Sequence, residues 1–314
     1  MDFFDYQKPT DYGWRWQKGL ASGRKGLLLF TSAIPSPFPE NNLVRVRVLQ
    51  RFGTGPATIL LHGLYETLSG KLGYISRWLY QHGFTVLLLP LPYHMDRTPK
   101  GRFSGQLFLT TSVEHTVTAF RQAVIDLRSL VDIIEAEPEF ASSLGGCRIG
   151  ALGISMGAVI LNTAFAVEKR LKAAVSVLGG GNLTTLFAKS PMTIPLKLVA
   201  FAKGLRPRHY RRVTQDYRSF LKEVQKKGLN GASAAWPWFW LDPLTYATAG
   251  YFHNRNLLMI NALFDCMVPR ENTKEFWRAA GKPEIIWLPC SHFTTRLFIS
   301  QVLHSAKEFL FSKL

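Results

Sequence analysis

Cysteine is scarce in this chain. Three residues, Cys147, Cys266 and Cys290, occur among 314, and none stands in a C-x-x-C spacing. A disulfide framework, a zinc ribbon and a redox pair are therefore excluded, and reduced thiols in a cytoplasmic setting are expected. Acid is also in short supply: 21 Asp+Glu against 38 Lys+Arg leave a net charge of +17. That excess implies attraction to something anionic, such as nucleic acid, a phospholipid surface or an acidic substrate, and carries no information about fold. The 25 glycines and 17 prolines are close to ordinary usage, which excludes collagen-like and Pro/Gly-rich disordered chains. No internal period repeats, so solenoids and propellers are set aside.

Long apolar runs are nearly missing. Residues 149–167 form a stretch of 19 without a charge, long enough on length alone to cross a bilayer. It carries Gly150, Gly153, Ser155, Gly157, Asn162 and Thr163, however, and reads as a buried strand running into a buried helix. Met1 to Tyr6 hold two acids and neither a basic start nor an apolar run, so no secretory or transit segment is expected. Nucleotide signatures fail as well. Between Gly63 and Gly70-Lys71 lie six residues, too many for a phosphate-binding loop, and Leu72 replaces its Ser/Thr. No strand is followed by G-x-G-x-x-G, and no helix-turn-helix, zinc-finger or RNA-binding pattern accompanies the charge, so nucleic acid is not an expected partner.

What remains is an alternation of short apolar runs with helical stretches. Residues 44–50 alternate apolar and basic side chains as an exposed strand would. Residues 58–61 and 85–89 are continuously apolar, as strands buried on both faces must be. Further strands are expected near 147–154, 173–178, 257–264 and 284–288. Apolar spacing of three and four predicts helices over 68–81, 112–136, 156–168, 270–280 and 294–310. Strands alternating with helices give an α/β class, a mostly parallel, doubly wound sheet covered on both faces. The core is expected over 44–181 and 251–314, with 1–43 as an N-terminal extension. Residues 182–250 exceed any crossover and hold 11 Lys+Arg against three acids. An insertion of this size reads as a basic, aromatic cap or lid.

Gly153-Ile154-Ser155-Met156-Gly157 matches G-x-S-x-G between an apolar strand and a helix-forming run. A serine on so sharp a turn needs small neighbours at Gly153 and Gly157, because side chains there would collide with the adjoining strand and helix. The following helix directs its first amides, beginning with Met156, at the point where negative charge would develop. Asp265 closes one apolar strand, and His292 follows another 27 residues later. His62-Gly63 closes the strand 58–61, where a backbone amide, that of Leu64, can face a substrate oxygen.

These pieces resemble the α/β-hydrolase superfamily, nearest in character to its dienelactone-hydrolase-like and esterase members. The matching segments are Leu60-Leu61-His62-Gly63, Gly153 to Gly157, Asp242-Pro243-Leu244, Asp265 with Val268-Pro269, and Ser291-His292-Phe293. The segment Pro90 to Met95 departs from the pattern of many relatives. The resemblance implies an α/β-hydrolase fold with a helical cap and a serine hydrolase that cleaves a carboxylic ester or thioester through an acyl-enzyme. Ser155 would be nucleophile, His292 base and Asp265 its orienting acid. Met156 and Leu64 would form the oxyanion hole, with His62 in a supporting role. No metal or organic cofactor is implied. The same triad also suits amide or carbon–carbon hydrolysis, and a silent fold that binds anionic or lipid surfaces is the rival reading. Asp126 reads as a polar-face or packing residue and Asp242 as the cap of a short helix. The four arginines of residues 206–212 suit a solvated lid, an anionic or lipid-like acyl substrate, or peripheral contact with a membrane. The run Trp236-Pro237-Trp238-Phe239-Trp240 could line an acyl pocket, sit at a membrane interface or fasten the lid.

Overall fold

A computed structural model of the chain describes residues 3–20, 22–53, 55–68, 70–138, 140, 148–204 and 206–314. Cys147, counted above among the thiols, lies outside them; Cys266 and Cys290 are free.

The strands are β1 (Tyr12–Leu20), β2 (Gly23–Thr31), β3 (Leu43–Arg51), β4 (Ala57–Leu61), β5 (Thr85–Leu89), β6 (Ile149–Ile154), β7 (Leu171–Val177), β8 (Asn256–Ala262) and β9 (Glu284–Leu288). They form one sheet in the order β1-β2-β3-β5-β4-β6-β7-β8-β9. From β5 to β9 every pairing is parallel, whereas β1, β2 and β3 run antiparallel. Among the described residues, the N-terminal extension contributes two strands of this sheet, β1 and β2. β1 pairs with β2, and β2 pairs with the alternating strand β3, whose Val44, Val46 and Val48 are buried while its arginines lie toward the other side. An amphipathic edge of this kind needs antiparallel neighbours, not crossover helices.

The helices are α1 (Gly70–Gln81), α2 (Val113–Ala136), α3 (Met156–Val167), α4 (Leu183–Lys189), α5 (Ile194–Ala202), α6 (Pro207–Gly231), α7 (Pro243–Thr248), α8 (Arg270–Ala279) and α9 (Ile299–Lys313). One face of the sheet is covered by α2, α3 and α8, through side chains such as Phe120, Ile160 and Phe276. The other is covered by α1 and α9, through Ile75, Leu79, Val302 and Leu310. The uncharged stretch 149–167 resolves into β6 and α3, both buried. No helix among the described residues is long and apolar enough to cross a membrane.

The described residues of 182–250 fold as α4 to α7 with short 3-10 turns over Pro191–Thr193 and Pro237–Leu241. Asn182 caps α4, and Gly228 breaks α6 with a φ of 71°. The aromatic run divides its labour. Phe239 packs with Tyr217 and Phe220 in a cluster of its own, and Trp240 meets Phe220 edge-on. Trp236 and Trp238 stack on each other at a ring separation of 4.9 Å and line a cavity of about 550 Å³. That cavity lies between the insertion and the start of α2, with Leu109, Val113, Phe187 and Leu196 on its walls.

Candidate active site

Ser155 sits between β6 and α3 with φ 55° and ψ −118°, a left-handed backbone that costs a non-glycine residue about 1–3 kcal/mol. Its amide donates to Val177 O at 2.8 Å, which anchors the turn to β7. The two glycines of the motif are required by backbone, not by side chains. A Cβ on Gly153 would stand 2.5 Å from Gly157 O, and one on Gly157 would stand 2.5 Å from His62 O. The elbow is therefore pressed against the end of β4, which brings the His62-Gly63 loop beside the serine. Met156 occupies the first position of α3, where an amide has no partner within its own helix.

Two loops supply the other groups. After β8, the Asp265 side chain is almost fully enclosed, and its Oδ1 accepts the amides of Met267 and Val268 at 2.8 and 2.9 Å. Its Oδ2 lies 2.8 Å from His292 Nδ1. This carboxylate does not cap α8, whose N-cap is Pro269. After β9, His292 presents Nε2 to Ser155 Oγ at 3.0 Å. The helix expected over 294–310 begins instead with a 3-10 turn, Thr294–Phe298, before α9. Three residues far apart in sequence thus form one hydrogen-bonded line at the carboxyl ends of β6, β8 and β9. With Nδ1–H donating to the carboxylate, Nε2 is free to accept a proton from Ser155. The surroundings are apolar and open: Tyr65, Phe103, Phe264 and Phe293 are exposed in the adjoining loops. The 550 Å³ cavity is separate, since none of Ser155, Asp265 and His292 lines it.

His62 is fully buried, accepts the Leu91 amide on Nε2 at 3.0 Å and sets Nδ1 2.8 Å from Gly63 O. Nε2 accepts, so Nδ1 carries the proton and the ring is neutral. It ties the loop after β4 to the loop after β5. A second histidine does the same and was not foreseen. His94 accepts the Tyr65 amide on Nε2 at 3.2 Å and sets Nδ1 2.8 Å from Pro92 O, its ring 4.9 Å from that of His62. The Tyr65 amide is thereby occupied, which leaves Leu64 as the candidate donor in this loop.

Burial pulls both imidazoles down, His62 to about 4 and His94 to about 3, with the neighbouring His62 adding to the effect on His94. In the unfolded chain they titrate near 6.5. The unfolded state therefore takes up protons first as pH falls, and stability present above that value is lost toward the folded-state values. Each histidine should contribute a slope of about 1.4 kcal/mol per pH unit below about pH 6. Urea titrations at stepwise lower pH should show this loss, and His94→Gln should reduce the slope by one histidine's share. An unchanged slope would refute a neutral, buried His94.

Beneath these loops lies a polar network built around Arg97, which is completely buried. It pairs with Asp126 at 2.7 Å and donates to the carbonyls of Pro90 and Asn41. Asp126 also accepts Ser32 Oγ at 2.6 Å. The acid of α2 is thus half of a buried ion pair, not a plain packing residue. Asp242 caps α7 through Leu244 N at 2.9 Å and additionally accepts the amides of Asn182 and Leu183. Burial raises it to about 6. It joins the two ends of the insertion and stands apart from His292's partner, Asp265.

Similarity to known proteins agrees with this architecture. No family model matches the chain. Solved structures do: an acetyl xylan esterase from Paenibacillus sp. R4 superposes with a TM-score of 0.59 at 14% identity, covering 94% of this chain and 89% of that one. The α/β hydrolase GrgF from Penicillium sp. sh18 gives 0.56 at 15% identity, with 96% and 99% covered. The chain has the α/β-hydrolase fold. A Pyrococcus furiosus esterase gives a TM-score of 0.53 at 16% identity over 96% of this chain and 93% of its own. Among curated sequences, an uncharacterized protein of Mycobacterium tuberculosis is 28% identical over 279 residues, 88% of this chain and 55% of the relative. The chain thus spans about half the length of the curated relatives it matches.

Proposed function

We propose that the protein is a serine hydrolase that cleaves carboxylic esters or thioesters through an acyl-enzyme. The observation that carries this reading is the line Ser155 Oγ, His292 Nε2, His292 Nδ1, Asp265 Oδ2, with gaps of 3.0 and 2.8 Å. In the reaction Ser155 Oγ attacks the acyl carbonyl carbon while its proton passes to His292 Nε2. The carbonyl electrons move to the oxygen, which the amides of Met156 and Leu64 stabilise. Collapse expels the alcohol or thiol, protonated by His292. Water then repeats the sequence on the acyl-serine, with His292 as base, and releases the acid. Asp265 fixes the ring tautomer and balances the imidazolium charge throughout. The exposed aromatic side chains of the adjoining loops, Tyr65, Phe103, Phe264 and Phe293, favour an acyl group of apolar character.

The test is steady-state hydrolysis of p-nitrophenyl esters of graded chain length, with Ser155→Ala measured alongside. Turnover by the native protein that is lost in the variant supports the proposal. Equal turnover by both, or none by the native protein with any chain length, contradicts it.

A further inference from the structure

Helix α5 is apolar on both sides. Its inner side, through Leu196 and Ala200, walls the 550 Å³ cavity. Its outer side faces water: Ile194, Leu198, Val199 and Phe201 are 48%, 66%, 46% and 55% exposed, and no residue of the helix is buried. Lys197 is turned inward, its Nζ on the carbonyls of Ala188 and Ser190, so the outer face is left wholly apolar and calls for a covering. The stretch of chain that carries it is basic, although Lys189 pairs with Glu271 at 3.3 Å. Residues 182–215 contain seven Lys or Arg and no Asp or Glu. Lys203, Arg208 and Arg211 are exposed beside or just after the helix.

From these two features we infer that α5 is a docking helix for an anionic lipid bilayer, with its outer apolar face in the headgroup and acyl boundary and the flanking basic side chains on the headgroups. A bilayer carrying acidic lipid supplies both what the apolar face needs and what the charge needs. A second copy of the chain would bring its own Lys203, Arg208 and Arg211 against the patch and be repelled. Nucleic acid would satisfy the charge but leave the four apolar side chains in water. Docking does not depend on the chemistry at Ser155, so the two readings fail separately.

Flotation of the full chain with unilamellar vesicles tests the inference, using phosphatidylcholine alone or mixed with phosphatidylserine. The protein should float with the mixed vesicles, remain behind with phosphatidylcholine alone, and detach as salt is raised. Leu198→Asn with Phe201→Asn should weaken partitioning by about tenfold or more, and Arg208→Gln and Arg211→Gln by roughly fivefold each. All four side chains are exposed, so circular dichroism melts should match the native protein, and Ser155→Ala should float as it does. Failure of the native protein to float with the mixed vesicles would overturn the inference. So would undiminished flotation of either variant pair, or a dimer in sedimentation that Leu198→Asn with Phe201→Asn dissociates.

Discussion

Replacing His292 with Ala should lower kcat for ester hydrolysis by a factor on the order of 10⁴ to 10⁶, with the fold intact. Among the described residues the imidazole is the base that lies 3.0 Å from Ser155 Oγ, and an alanine there leaves an alcohol that is a weak nucleophile at neutral pH. Asp265→Asn should cost about 10⁴-fold by a different route. The amides of Met267 and Val268 hold one oxygen of residue 265 as an acceptor. In the asparagine variant that position keeps the carbonyl oxygen, so the NH₂ is turned toward His292 Nδ1. Nδ1 must then accept, Nε2 carries the hydrogen, and the ring can no longer receive the serine proton. Combining Ser155→Ala with His292→Ala should lose little beyond either alone, because the residues act as a unit. Losses that multiply in the double variant, or a His292→Ala enzyme within tenfold of native, would contradict the assigned roles.

Replacing Arg97 with Met should destabilise the protein by about 3–5 kcal/mol, because it leaves the Asp126 carboxylate buried without its cation. Two backbone carbonyls, those of Pro90 and Asn41, lose their donor in the same substitution. Asp126→Asn should be milder: Arg97 keeps both carbonyls, and the amide oxygen can still accept from it. Chemical denaturation of the two variants gives the ordering directly, and an Asp126→Asn protein less stable than Arg97→Met would refute it. Activity should fall with the arginine too. Arg97 fixes the Pro90 carbonyl at the start of the loop that carries His94, and His94 holds the Tyr65 amide next to Leu64.

The groups of the candidate site are legible in the sequence because each marks the end of a strand. Ser155 follows an apolar run and precedes a helix, and Asp265 and His292 close two more such runs, so local pattern alone places them at one edge of a parallel sheet. The β1–β2 hairpin is harder to read. Its strands pack against an antiparallel edge, and Trp14, Trp16 and Lys25 mix large apolar with charged side chains in a way that periodicity does not resolve. The supporting network escapes pattern altogether. Arg97 is a cation in a turn, Asp126 an acid in a helix, and Ser32 a hydroxyl some 90 residues away; only folding shows that they share one buried site. His94 is hidden for the same reason, since nothing near it in sequence announces that its partner is the Tyr65 amide. Asp242 is half legible: its capping role follows from Pro243, whereas its grip on Asn182 and Leu183 depends on how the insertion returns to the core.

The central claim is that Ser155 is a nucleophile activated by His292, and labelling with a fluorophosphonate tests it most directly. The native protein should gain the mass of one phosphonyl group on the peptide that contains Ser155, and Ser155→Ala should gain none. A native protein that stays unlabelled, or a Ser155→Ala variant that labels as readily as the native chain, would contradict the account.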